Sequence, residues 1–127
     1  MASRELLRAE WQSFCDRISK SLSGVHAEVE IVSFDFGDQI EAKWSPLFGI
    51  VYDPKSDVFE IALDGLDHLI SRPRRVFVEE TSRGVVALEI TAEDTVRQIV
   101  RLRQPLPTPE PKVSKASDAV AQTGEAS

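Results

Sequence analysis

Apolar side chains recur along this chain with two different periods. Near the N-terminus Leu7, Trp11, Phe14, Ile18 and Leu22 are spaced by 4, 3, 4 and 4 residues, which lines them along one helical face. The pattern predicts an amphipathic helix over Ser3–Leu22, with the Ser3 hydroxyl capping its start and Gly24 ending it. Trp11 and Phe14 are too large to leave in water, so this helix must dock on another element. Beyond it the period falls to two, the spacing of strands with one buried face. Val25, Ala27, Val29 and Ile31 alternate with polar residues, and then the parity flips to Val32, Phe34 and Phe36. A strand cannot change face without an extra residue, so a β-bulge is expected near Ile31–Val32. Gly37-Asp38 supplies a turn. Ile40, Ala42 and Trp44 alternate next, and Pro46, which cannot donate to a ladder, marks an edge or a bend.

The densest apolar run follows. Leu47–Tyr52 and Phe59–Leu63 flank Asp53-Pro54-Lys55-Ser56-Asp57, whose residue types favour a reversal, so a β-hairpin is expected. Leu66, Leu69 and Ile70 fit the i, i+3, i+4 spacing of a short helical turn ended before Pro73. Further strands are predicted around Val76–Val78, Val86–Ile90 and Val96–Leu102, joined by turns at Ser82-Arg83-Gly84 and Ala92–Thr95. The fold class read from this order is α+β. An N-terminal helix packs on a strongly bent antiparallel sheet of five or six strands, curled into a partly closed barrel.

From Pro105 the character changes. Pro105, Pro107, Pro109 and Pro111 fall at every second residue, and small or polar residues follow to Ser127. Such a stretch carries too little apolar surface to offset the entropy of ordering. The expected organisation is one domain over 1–104 and a Pro-rich, disordered tail over 105–127, which a partner's aromatic groove can accept.

Charge narrows the partners. The formal net charge is −6, which argues against bulk binding to nucleic acid or anionic membranes. It is uneven: residues 1–71 carry 6 basic and 13 acidic groups, and residues 72–104 carry 7 arginines against 5 acids. Arg97, Arg101 and Arg103 share one strand parity, and with Arg72, Arg74 and Arg75 they can form a basic patch for an anionic ligand, RNA or an acidic partner. The competing expectation is pairing with Glu79, Glu80 and Glu89 on neighbouring strands. No exposed aromatic pair is interleaved with these arginines, which disfavours RNA.

The residue types needed for catalysis are sparse. His68 follows Asp67, with Asp64 four residues earlier, and a carboxylate-oriented histidine can act as a general base. The plainer expectation has an aspartate capping the short helix and His68 bonding nearby backbone. Trp44 and Tyr52, flanking the Pro46 bend, are the residue types that line a ligand pocket or fill a core. The only cysteine, Cys15, is expected mid-helix beside Asp16, as a small apolar residue rather than a nucleophile. No metal-ligand spacing, Gly-rich phosphate loop or nucleophile motif is present, so no cofactor is expected. A lone cysteine suits a reducing cytoplasm, and no run approaches the length of a membrane span.

Several motifs together resemble a known family. They are Gly37-Asp38-Gln39-Ile40-Glu41-Ala42-Lys43-Trp44, then Pro46-Leu47, Gly49-Ile50 and Tyr52-Asp53-Pro54, then Leu66-Asp67-His68-Leu69-Ile70 with Pro73, and Arg97–Leu102. Over about residues 5–104 the chain is similar to domain of unknown function 5335, a family of small bacterial proteins. The resemblance implies a bacterial protein and supplies no catalytic residues. The leading expectation is a non-catalytic binding or protein-interaction module, with a second copy of itself or another protein as partner. The alternatives are anion or RNA binding through the arginines, and a small enzyme using Asp67 and His68.

Overall fold

The structure is a computed structural model and describes residues 2–22, 24–33, 37–92 and 96–107. Eight strands form one antiparallel sheet in the order β1-β6-β7-β8-β2-β3-β4-β5. They are β1 (Ala2–Leu6), β2 (His26–Ser33), β3 (Gly37–Asp53), β4 (Val58–Leu63), β5 (Leu66–Ser71), β6 (Pro73–Thr81), β7 (Gly84–Ala92) and β8 (Val96–Leu106). Among the described residues a single 3-10 turn (Arg8–Glu10) leads into one helix, α1 (Trp11–Ser19). The class is α+β as read from the sequence. The sheet has eight strands rather than five or six, and it is open rather than partly closed, because β1 and β5 each have a neighbour on one side only.

The bend comes from β3. This strand is 17 residues long and serves two partners. Its first part pairs with β2 up to Pro46, and its second part pairs with β4 from Leu47. The corner holds extra residues on β3 opposite Ala27–Glu30, and Trp44 there takes φ +49°, a backbone conformation costly for a large L-residue. The irregularity expected at Ile31–Val32 therefore lies on the partner strand; β2 runs straight against β8. Phe34 and Phe36, which prompted that expectation, lie outside the described residues. The corner divides the sheet into a large leaf (β1, β6, β7, β8, β2 and the start of β3) and a small leaf (the end of β3, β4 and β5).

One core lies between the leaves. Val76, Val78, Leu88, Ile90, Val100, Val29 and Ala27 are buried on the large leaf, and Ile50, Tyr52, Phe59, Ile61 and Ile70 on the small one. Trp11, Phe14, Cys15 and Ile18 of α1 complete it. The Trp11, Tyr52 and Phe59 rings meet with centroids 4.7–5.5 Å apart. Four of the five stripe residues are buried as expected, Trp11, Phe14 and Ile18 on α1 and Leu22 just past its end, but the helix is shorter than Ser3–Leu22. Residues 2–6 instead add a strand to the free side of β6, with Leu6 inward opposite Val76. Pairing with a distant strand overrode local helix propensity. Leu7 is exposed, and the Glu10 carboxylate takes its N–H at 2.9 Å in place of the Ser3 cap.

The hairpin at Asp53–Asp57 forms as expected. Asp53 accepts from the Lys55 N–H and the Ser56 hydroxyl, both at 2.9 Å. The helical turn expected at Leu66–Ile70 is instead β5, joined to β4 by Asp64-Gly65, with Leu66, His68 and Ile70 inward. Four-residue spacing and alternation coincide in so short a segment, and pairing with β4 decides between them. At the other end β8 continues through Leu106, which is buried and pairs with Val85, so the ordered chain passes residue 104. Residues 108–127 of the Pro-rich tail lie outside the described residues.

Where β3 leaves β2, its backbone needs new partners on that side. A two-residue hairpin closes on a hydrogen-bonded pair, here Leu63 and Leu66, and such pairs alternate along the ladder. By this parity Ile61 spends its backbone groups on β5, and Ile50 opposite it points its own away from β4. The Ser19 hydroxyl meets both: it accepts the Ile50 N–H at 3.0 Å and donates to the Ile50 carbonyl at 2.8 Å. The last residue of α1 thus stands in for a missing strand.

Candidate functional site

Residues directly opposite one another across a sheet share a face, so the register maps the outer surface of the large leaf. One rung reads Glu5, Phe77, Glu89, Ile99, Glu30, Ile40; the next reads Ser3, Glu79, Ala87, Arg101, Glu28. Arg97 and Arg101 lie on this face, as strand parity predicted, among carboxylates. Arg101 reaches Glu28 at 3.6 Å and also bonds Glu30. Arg97 reaches Glu89 at 3.3 Å, and Arg75 grips Glu5 at 2.9 and 3.0 Å. Arg103 lies over the Trp44 ring, 5.3 Å from its centroid. Arg72 and Arg74 are exposed, and each is engaged by a neighbouring group. Arg75, Arg97 and Arg101 are therefore paired with carboxylates. Glu89 was anticipated as a partner; Glu5, Glu28 and Glu30 were not, because which strands adjoin is set by the order of the sheet. The Arg101 hydrogen bond, then one from Asp38, holds the Glu30 carboxyl below its usual range, and the same contact with Glu30 raises Asp38.

The proposed catalytic and pocket residues are dispersed. Consecutive strand residues face opposite ways, so Asp67 points outward while His68 points between the leaves and bonds the side chain of Gln98. That rules out a helical Asp64–His68 pair and a helix-capping Asp67. Tyr52 is buried in the core, and its hydroxyl donates to Asp57 at 2.7 Å and accepts from Arg8 at 3.3 Å. Arg8 also donates to Asp57 and to the Pro73 carbonyl, tying the 3-10 turn to the end of the small leaf where Asp57 adjoins Arg72 and to the start of β6. Trp44 lies at the β3 corner, with Arg103 over its ring. Burial pushes the Cys15 thiol up to about 12. Among the described residues no group of three or more His, Cys, Asp and Glu is placed to hold a metal ion. An open groove of about 540 Å³ runs between the end of α1 and the β3 corner, lined by Lys20, Leu22, His26, Leu47 and Phe48 among others.

The least expected surface is the outer face of the small leaf. Val51, Glu60 and Leu69 form one rung across β3, β4 and β5. Val51 is 45% and Leu69 58% exposed, with Ala62 and Val58 half-buried beside them. The ionisable residues on this face are Asp53, Glu60 and Asp67, all acidic. Sequence reading missed Val51 because an all-apolar run gives no parity, and Leu69 because it was read on a helical stripe. The usable signal was Phe59, Ile61 and Leu63 on the neighbouring strand, which fix the inward face of all three.

Comparison with known proteins gives the chain a family. The model of a family described as "Family of unknown function (DUF5335)" matches residues 2–111. The chain belongs to that family. An "Uncharacterized protein" of Aquifex aeolicus (strain VF5) is 38% identical over 111 residues, which covers 87% of this chain and all of the relative. No solved structure matches the chain. The motifs that carried the DUF5335 resemblance fall mostly on β3 and β5, the strands that bear Val51 and Leu69. Among the described residues no helix of this DUF5335 protein is long and apolar enough to cross a membrane.

Proposed function

We propose that this DUF5335 protein is a non-catalytic protein-interaction module of the bacterial cytoplasm, and that the outer face of its small leaf is the docking surface. One observation carries the reading. Val51 and Leu69 stand exposed on a single rung, on a sheet face with no described element over it. Large apolar side chains aligned on a rigid sheet mark contact surfaces. Asp53, Glu60 and Asp67 around them favour a partner segment that is both apolar and basic, since the negative charge of the face then attracts it rather than opposes it. The pairing of Arg75, Arg97 and Arg101 with glutamates supports this over anion or RNA binding, which needs those guanidinium groups available. The inward aim of His68 supports it over the enzyme reading. The test is a photo-crosslinking residue at position 51 in the producing cells, with the same residue at Arg83 as control. A discrete adduct at 51, absent at 83 and lost when Glu60 is changed to Lys, is expected. Absence of an adduct at 51 refutes the reading.

A further inference from the structure

The two edges of this sheet are not alike. β1 is short and carries Arg4 and Glu5, each held in an ion pair, to Glu80 and Arg75. Charged side chains are a standard protection against edge-to-edge pairing. β5, Leu-Asp-His-Leu-Ile-Ser, has neither lysine nor proline, its pairing with β4 is free of register shifts, and Asp67 is its only acidic residue. Its unused hydrogen-bonding groups can be assigned. With Leu63 and Leu66 a bonded pair, Leu66, His68 and Ile70 spend their backbone groups on β4. Asp67, Leu69 and Ser71 point theirs away from the sheet, and all three are exposed.

We propose that β5 pairs antiparallel with β5 of a second copy, about a two-fold axis at Leu69. The inference rests on reading the small leaf as an interaction surface and names one of its partners. The register follows from parity and charge. Residues with outward groups must face one another, and centring on 69 does this for all three, 69 with 69 and 67 with 71 in both directions, whereas centring on 68 or 70 matches only two of them. This places Leu69 against its symmetry mate and each Asp67 against a Ser71 hydroxyl. Centring on residue 67 opposes two carboxylates instead. A two-fold contact is also closed, so it consumes the unprotected edge completely, whereas β5 against β1 of another copy propagates without end. The outer rung then reads Val51, Glu60, Leu69 and their mates in reverse, giving one apolar–acidic face twice as wide. The two Glu60 residues lie three strand spacings apart, ~14 Å, beyond the screening length at physiological salt.

Light scattering on the full chain, across a dilution series, reads the stoichiometry. Spin labels at Val51→Cys read the register; the buried Cys15 thiol stays unlabelled. The expected result is a dimer with Val51 backbones five strand spacings apart, ~24 Å. Leu69→Lys should weaken dimerisation at least tenfold, because it places two ammonium groups face to face. Ile40→Lys, a charge on an exposed residue of the large leaf, should leave it unchanged. A monomer at every concentration overturns the proposal, as does a dimer indifferent to Leu69→Lys, sensitive to Ile40→Lys, or with labels at a different separation. An adduct at position 51 in a strictly monomeric protein defeats this proposal while leaving the docking face intact; loss of both defeats both.

Discussion

Replacing Ser19 with Ala should destabilise the fold well beyond the usual effect of a small substitution at a helix end. One hydroxyl serves both the N–H and the carbonyl of Ile50, a fully buried residue whose backbone groups face away from β4. Leaving a buried backbone group unpaired costs about 1–3 kcal/mol, and here two are affected. Ala favours helix over Ser by up to ~0.5 kcal/mol, a small offset. Ser19 itself is half-buried, so water reaches part of the gap, and the net loss comes to about 2–3 kcal/mol. With a urea m-value of about 1–3 kcal/mol/M, the midpoint should fall by about 0.7–3 M. Ser19→Thr keeps the hydroxyl and should recover most of the loss. Native-state hydrogen exchange gives the local readout: the Ile50 amide should lose more protection than its neighbours on β3. A loss under ~0.5 kcal/mol with Ile50 still protected would refute the claim that α1 completes the edge of β3.

Gly84 has φ +136°, and a Cβ there would lie 2.6 Å from the carbonyl carbon and oxygen of Leu106, so Gly84→Ala should cost about 2–4 kcal/mol in urea melts and detach the end of β8. The Cys15 thiol, buried and raised to about 12, should resist thiol reagents in the native protein and react fully only in denaturant. Acid should destabilise the fold. Arg75 lowers Glu5, Arg101 lowers Glu30, and the Lys55 N–H and Ser56 lower Asp53, so their contribution is complete above the ordinary carboxylate values of 4.5 and 3.8 and disappears as pH falls through the depressed ones. Asp38 is raised and acts in the opposite sense, so Asp38→Asn should steepen the fall on the acid side in thermal melts between pH 6 and pH 3.

The sequence was most legible where one residue type decides the local geometry. Asp53-Pro54-Lys55-Ser56-Asp57 could only reverse the chain, and Phe59, Ile61 and Leu63 could only be a half-buried strand. Trp11, Phe14 and Ile18 marked a helix because no strand places them together. It was least legible where partners lie far away. Ala2–Leu6 reads as the first turn of a helix until β6 is beside it, and Leu66–Ile70 reads as a helical turn until β4 fixes its alternation. The candidate site was hidden for the same reason: Val51 and Leu69 become neighbours of Glu60 only through pairing across three strands. The partners of the arginines were hidden by the identity of the adjoining strands. Parity put Arg97 and Arg101 on one face, but only the order β7-β8-β2 reveals that Glu89, Glu28 and Glu30 flank them.

The pairing of β1 with β6 has a bearing on how the protein is made. Ala2 sits opposite Glu80, so β1 has no mate on the ribosome until some seventy further residues have followed. Closing so long a loop is entropically costly and slow, and it comes late. During that interval Trp11 and Phe14 are synthesised but have only part of their pocket, since Tyr52 and Phe59 are translated some forty residues later. The nascent chain therefore carries its largest apolar groups exposed for much of synthesis, and a helper that shields them early should raise the yield of folded protein more than one that acts after release.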